Sequence, residues 1–354
     1  MRGGGVVEPV TWVLTGYKAG DNAQVLALAD SLGWPYAVKR FRYRKTELLS
    51  NRLLGVTLAG IDKNASSELQ PPWPELIITA GRRNEPVARW IRKQSGGRTR
   101  LVHVGRPWAP LRVFDLIVTT PQYFLPDRPN VLKNDLPLHG VMNVRLDEAA
   151  AAWRQKFAHL PRPYTAVLIG GDSGPFVFTR EKGRRLGRLV NGMVLDEGGS
   201  LLVTDSARTP VQVFEAFRRE LSVPAHVHRW SETAQDNPYF AYLALADRLV
   251  VTGESMSMLT EASFTCKPLF IFDPGDTRPW WRQLCNFRFK PLSHRMAMLL
   301  AARRMHRDVG NIQRQLVASG RAVWLGQKFP AGKPGNPPDD LRRAAVRVRA
   351  LFES

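Results

Sequence analysis

Several short stretches of the chain combine hydroxyls, glycines, arginines and carboxylates in a way that suits a phosphorylated ligand. In Thr252-Gly253-Glu254-Ser255-Met256-Ser257-Met258 an apolar run ends in a turn that opens a helix, and Glu261 follows in the second helical turn. Hydroxyls and unpaired N–H groups at a helix start fit a pyrophosphate, and a carboxylate deeper in can accept from ribose or sugar hydroxyls. The structural alternative is a plain cap, with Ser255 capping and Glu254 favouring the positive helix end. Ile169-Gly170-Gly171-Asp172-Ser173-Gly174 offers close backbone approach and one hydroxyl. Thr204-Asp205-Ser206-Ala207-Arg208-Thr209-Pro210 sets hydroxyls and a guanidinium just before a helix, as a diphosphate site would, with Pro210 read as its first residue. Asn237 and Tyr239 add an amide and a phenol to the same rim.

The first half carries two further candidates. Thr15-Gly16-Tyr17-Lys18-Ala19-Gly20-Asp21-Asn22-Ala23-Gln24 is neither a G-x-G-x-x-G loop nor a P-loop. It reads either as a turn capped by Asp21 or Asn22, or as a loop where Asp21 takes a proton and Lys18 meets an anion. Ala80-Gly81-Arg82-Arg83-Asn84-Glu85-Pro86 opens a helix beside two guanidinium groups, a ready anion site.

These loops need strands and helices to hold them, and the pattern supplies both. Apolar runs of strand length alternate with amphipathic runs of helix length, the mark of parallel sheets covered on both faces. Strands are expected at 10–14, 36–41, 76–79, 101–104 and 116–118, then at 166–169, 201–204, 226–230, 249–252 and 269–272. Helices are expected over 181–195, 210–221, 238–246, 255–265 and 292–306, while 127–144, with Pro129 and Pro137, reads as a connection. The fold class is therefore α/β, with two doubly wound Rossmann-like domains facing a cleft. Residues 1–145 would form an acceptor-side domain, 146–330 a nucleotide-sugar domain and 331–354 a C-terminal tail or helix.

Composition narrows the function classes. The 354 residues are 44% hydrophobic and 23% charged, as a folded protein of about two domains requires. Cys266 and Cys285 are too few for a disulfide framework or a zinc site. No run approaches the ~20 apolar residues of a membrane span, and Met1-Arg2-Gly3-Gly4-Gly5 is no signal core, so a cytoplasmic protein is expected. The net charge of +20 first suggests nucleic acid, but it divides evenly between the two halves and accompanies no known binding module. One dense run, Lys39, Arg40, Arg42, Arg44 and Lys45, reads either as a solvated strand end or as contact with an anionic membrane surface on its inner face.

In order and spacing these loops resemble a bacterial and plant family of glycosyltransferase-like proteins related to the plant mitochondrial fission factor, often labelled nucleoside-diphosphate-sugar epimerase. The resemblance rests on Lys18 to Gln24, Ala80 to Arg83, Gly170-Gly171, Ser206 to Pro210, Asn237 to Tyr239 and Glu254 to Ala262, and covers about residues 10 to 275. Departures fall at Gly16-Tyr17, where the family commonly has Asp-Gly, at Ala207 for Arg, at Glu254 for Asp, and at Gln122-Tyr123 for His-Asp. The resemblance implies the two-domain GT-B architecture and a sugar passed from a nucleoside-diphosphate sugar to an envelope or lipid-linked acceptor. No metal or cofactor is expected, since helix N-termini and Arg208 would stabilise the leaving diphosphate and no D-x-D motif occurs. Ser173, Ser206, Arg208, Thr209, Ser255, Ser257 and Glu261 would line the donor. Gly20, Asp21, Arg82 and Arg83 would face the acceptor, with Asp21 as base. An epimerase and a non-catalytic membrane scaffold are the rival readings.

Overall fold

A computed structural model describes residues 8–48, 51–140, 143–173, 176–231, 236–275, 284–332, 334–336 and 339–353. Gly174 and the opening residues 1–5 lie outside that set. The chain divides into two compact units. The first comprises the residues up to Gly140, Ala302–Arg307 and the C-terminal segment; the second holds the rest.

In the first unit β1 (Thr11–Thr15), α1 (Ala19–Leu32), β2 (Tyr36–Arg40) and a single turn α2 (Asn51–Leu54) lead to β3 (Leu76–Ala80) and α3 (Glu85–Gln94). β4 (Arg100–Val104), β5 (Leu116–Thr119) and β6 (Val131–Lys133) follow. All six strands are parallel, in the order β2-β1-β3-β4-β5-β6. Alternation of side chains distributes the core between the two faces of this sheet. Val13, Leu76 and Ile78 join Leu28 of α1 on one face, whereas Trp12, Leu14 and Ile77 join Val87 and Ile91 of α3 on the other. Strands β1 and β3 are buried at every position, as a sheet covered on both sides demands.

The second unit opens with α4 (Asn143–Trp153), β7 (Tyr164–Leu168), α5 (Arg180–Glu197), β8 (Ser200–Thr204), α6 (Val211–Arg218) and β9 (Ala225–His228). It continues through α7 (Tyr239–Leu245), β10 (Arg248–Thr252), α8 (Met256–Phe264), β11 (Leu269–Phe272), α9 (Phe289–Leu300), α10 (Gly310–Ala318) and β12 (Ala322–Trp324). Its six parallel strands run β12-β11-β10-β7-β8-β9. Counted within the unit from β7, that order is 3-2-1-4-5-6, the dinucleotide-fold order. Each sheet thus has one point where the winding reverses, between β1 and β3 in the first and between β7 and β10 in the second. Ligands in open α/β sheets bind beyond the strand ends at that point.

Several expectations need correction. The stretch read as a connection at 127–144 contains β6, and β12 extends the second sheet, so each has six strands where five were expected. The helix expected over 292–306 ends at Leu300, and a separate 3-10 turn covers Arg303–Met305. The segment 331–354, expected as a tail or helix, contains helix α11 (Asp340–Arg349), which packs within the first unit. Ala344, Ala345 and Val348 enter the core beside Val13 and Leu28, and Phe352 meets Trp34 edge to face at 5.7 Å. Asp340 fixes the start of this helix by accepting from the N–H groups of Asp135 (3.1 Å) and Leu136 (2.8 Å). Among the described residues no helix is long and apolar enough to cross a membrane.

Candidate functional site

In the second unit the loops after β7, β8 and β10 meet at the sheet's reversal point. The Gly170 N–H donates to Thr252 Oγ1 (2.8 Å), and the Thr252 hydroxyl donates to Glu254 Oε1 (3.0 Å). Thr209 Oγ1 lies against the carbonyls of Ile169 (3.2 Å) and Gly170 and accepts from the Ser206 N–H (3.0 Å). Arg208 donates from Nη1 to the Asp172 carbonyl (3.2 Å), and Asp172 Oδ1 in turn accepts from the Phe178 N–H (2.8 Å). The β7 and β8 loops are therefore stapled to each other, and the β10 loop is tied beneath them.

Glycine makes this close approach of the loops possible. A Cβ on Gly171 would stand 2.1 Å from the Arg208 carbonyl oxygen, and one on Gly170 would stand 1.9 Å from Glu254 Oε1. Gly170 and Gly171 thus leave room for Glu254 and for the backbone at Arg208.

Glu254 departs furthest from its expected place on the rim. It is 2% exposed and lies under Gly170, where burial pushes its carboxyl up to about 7 against the help of Thr252 and the Arg208 charge. Its Oε2 lies outside hydrogen-bonding geometry with any described group. The sign of the pH effect follows. The folded state holds this proton from the unfolded value near 4.5 up to about 7, so folding stability falls as pH rises through that window and stays lower above it. Glu254→Gln is expected to flatten the dependence and to raise stability at pH 8 by ~2 kcal/mol, measured by urea unfolding at pH 5 and 8. An unchanged pH profile would refute the buried-carboxyl account.

Further along, α8 starts at Met256 with Ser255 in the N-cap position, but the Ser255 side chain makes no capping bond, contrary to expectation. Ser255 is buried, Met258 is half-buried and Ser257 is exposed. Glu261 accepts a hydrogen bond at Oε2 from the Tyr239 hydroxyl at the start of α7. Burial raises the Glu261 carboxyl, while burial and then the Glu261 charge hold the Tyr239 phenol well above its ordinary range. Asn237 Oδ1 accepts from the Tyr239 N–H (3.0 Å) and so sets the turn that aims this phenol. Ser173 pairs through its backbone with Phe176, and Ser206 with Thr209, so these two hydroxyl residues also shape the loops. Pro210 precedes α6, in the cap position instead of the first helical one.

The first unit holds a separate cavity of about 290 Å³ where the loops after β1, β3 and β4 converge. Its lining includes five cationic side chains, Lys18, Arg82, Arg83, Arg106 and Arg307, and one carboxylate, Asp21. Lys18 and Asp21 approach to 3.9 Å. Asn22 does not cap α1, which begins earlier, at Ala19; its side chain closes the turn on both polar groups of Gly16 (3.0 and 2.7 Å). Gly81 has φ +74°, open to glycine at little cost, and a Cβ there would press to 2.9 Å on Asp21 Oδ2. Gly20 and Gln24 lie outside this lining, Gln24 donating back to the Gly20 carbonyl (3.2 Å) within α1.

Tyr17, Tyr43, Trp108, Tyr123, Arg106 and Arg307 escaped the sequence reading as site residues, although all line this cavity. Arg106 had a usable signal, since it follows a strand end. Arg307 had none, because it reaches the site only through the late return of residues 302–307 to the first unit. Of the basic run, Lys39 lies over the Trp12 ring at 4.3 Å and donates to the Glu68 carbonyl (3.0 Å). Arg44 approaches Asp62 to 3.8 Å, while Arg40, Arg42 and Lys45 are exposed.

Comparison with known proteins places this geometry. A family model described as mitochondrial fission ELM1 matches residues 19–352. The mitochondrial fission protein ELM1 of Arabidopsis thaliana is 28% identical over 242 residues, 62% of this chain and 56% of that protein; the chain thus spans little more than half the length of this relative. The uncharacterized protein RP120 of Rickettsia prowazekii is 26% identical over 296 residues, 74% of this chain and 83% of that protein. Among solved structures, the UDP-GlcNAc 2-epimerase of Methanocaldococcus jannaschii superposes with a TM-score of 0.51 at 9% identity, covering 98% of this chain and 99% of that one. The likeness shows the fold, a GT-B-like pairing of Rossmann-like units in one chain.

Proposed function

The chain belongs to the mitochondrial fission ELM1 family, and from that premise we propose that it is a metal-independent glycosyltransferase that takes its sugar from a nucleoside-diphosphate donor. The observation that carries this reading is the meeting of the β7, β8 and β10 loops with the start of α8 at the reversal point of a sheet in dinucleotide-fold order. The first N–H groups of α8, with Ser255 and Ser257, would face the diphosphate. Arg208 would add positive charge as the diphosphate leaves, so no metal is needed for that step. Glu261, oriented by Tyr239, would accept from hydroxyls of the ribose or sugar. Transfer is preferred to epimerisation because the first unit carries a cavity of its own, which a one-substrate reaction would not require. Asp21, the single carboxylate of that cavity, is the candidate base for the acceptor hydroxyl.

The reaction is tested by supplying labelled nucleoside-diphosphate sugars with chelator and extracted lipid or protein acceptors. Release of nucleoside diphosphate together with transfer of the label is expected. Free epimer with the nucleotide still attached would move the chain to the epimerases, and no consumption of any donor would sink the proposal.

A further inference from the structure

We propose that the first unit's cavity binds the phosphate or diphosphate end of a phosphorylated molecule. Calling that molecule the acceptor rests on the glycosyltransferase reading, but the binding stands on the cavity alone. Five cations against one carboxylate is an unusual lining for about 290 Å³, and the way they are held is more telling than their number. Aromatic rings lie under four of the five guanidinium or ammonium groups. Arg83 lies over the Tyr17 ring at 4.5 Å and Arg82 over Trp108 at 5.1 Å. Arg106 and Arg307 lie over Tyr123 at 5.3 and 5.9 Å. Arg106 also donates to the carbonyls of Met305 and His306, and Arg307 Nε donates to Gln122 Oε1 (3.1 Å). Among the described residues the hydrogen bonds of Arg106 and Arg307 thus go to carbonyls and an amide. For Arg106 and Arg307 a ring, an amide and carbonyls fix the guanidinium in place without neutralising it, so the charge of these two remains for something else.

Cations gathered around one small cavity repel one another. Burial, and then the neighbouring Arg307 and Arg304, lower the Arg106 pKa from its ordinary value, the direction expected of a cation held among other cations. A ligand of two or more negative charges reverses that balance, and fork-shaped guanidinium groups match phosphate oxygens in pairs. The volume lies at the small end of the roughly 300–1,000 Å³ of ligand sites, which suits a phosphorylated end group better than a whole nucleotide sugar. Tyr17 and Trp108, 60% and 40% exposed, stand at the mouth and offer ring faces to whatever the phosphate is attached to.

Calorimetric titration of the full chain with inorganic pyrophosphate tests the site. Binding is expected in the unaltered protein and should weaken about tenfold in each of Arg307→Gln and Lys18→Ala, one side chain fixed by contacts and one more exposed. Arg218→Gln, on an exposed face of α6 in the other unit, should leave it unchanged. No binding, or binding by Arg307→Gln and Lys18→Ala as tight as by the unaltered protein, overturns the proposal. Phosphatidylcholine vesicles doped with phosphatidate separate the two sources of the phosphate. Sedimentation with them that is lost in Arg307→Gln assigns the site to a lipid headgroup, whereas pyrophosphate binding without sedimentation assigns it to a soluble phosphate ester. Either result supports the site. Should pyrophosphate bind as expected while every nucleotide sugar fails, the donor reading falls and this one stands.

Discussion

Gly171→Ala is expected to destabilise the second unit by about 3 kcal/mol and to abolish donor binding. The added methyl would meet the Arg208 carbonyl oxygen at 2.1 Å and the Thr209 nitrogen at 2.7 Å, and both are backbone atoms that cannot swing aside. The β7 and β8 loops would have to part, breaking the contacts of Thr209 Oγ1 with the Ile169 and Gly170 carbonyls. Overpacking of this kind costs about 1–3 kcal/mol, and each lost buried hydrogen bond adds about 1. Gly192→Ala is the matched control. It lies within α5 with nothing inside 4 Å of the new methyl, so helix propensity alone should raise stability by about 0.5–1 kcal/mol. Urea unfolding followed by circular dichroism reads both. A loss under 1 kcal/mol at Gly171 would show that the two loops are not stapled as described.

The second large effect is on binding. Glu261→Ala is expected to weaken nucleoside-diphosphate-sugar affinity by about a hundredfold, or about 2.7 kcal/mol, since a carboxylate taking a sugar hydroxyl contributes roughly 1.5–3 kcal/mol. The variant must still fold for this to mean anything, and the site's chemistry favours that outcome. Burial raises the Glu261 carboxyl, so the charge itself opposes folding, and the chief penalty of removal is the Tyr239 hydroxyl left without an acceptor. Glu261→Gln keeps that acceptor while removing the charge, so it should hold stability near the native value and still bind weakly. Affinity that survives both changes would remove Glu261 from the site.

Much of this was legible in the chain. Parallel strands buried on both faces read as continuous apolar runs, so ten of the twelve strands could be placed within a residue or two. β6 and β12 could not, because three residues carry too little periodicity and Pro129 and Pro137 flank the first of them. The loops were found because Gly, Ser and Arg cluster after strand ends. Their roles were harder to read, since a buried Glu254 and a rim Glu254 have the same sequence. What separates them is the 1.9 Å gap between a hypothetical Gly170 methyl and Glu254 Oε1, a contact across more than eighty residues. Arg307 illustrates the same limit, as a cation delivered to the first unit's cavity by a short return of the chain. The sequence left 331–354 open between tail and helix because the small apolar face of Ala344, Ala345 and Val348 gains meaning only against α1.

The central claim is that the second unit takes a nucleoside-diphosphate sugar without a metal. Calorimetric titration of the native chain and of Glu261→Ala with a panel of such sugars, in the presence of chelator, addresses it most directly. The account predicts that at least one sugar nucleotide binds the native chain and that the variant loses about a hundredfold in affinity for it. Failure of the whole panel to bind, or binding that is the same in both proteins, would contradict it.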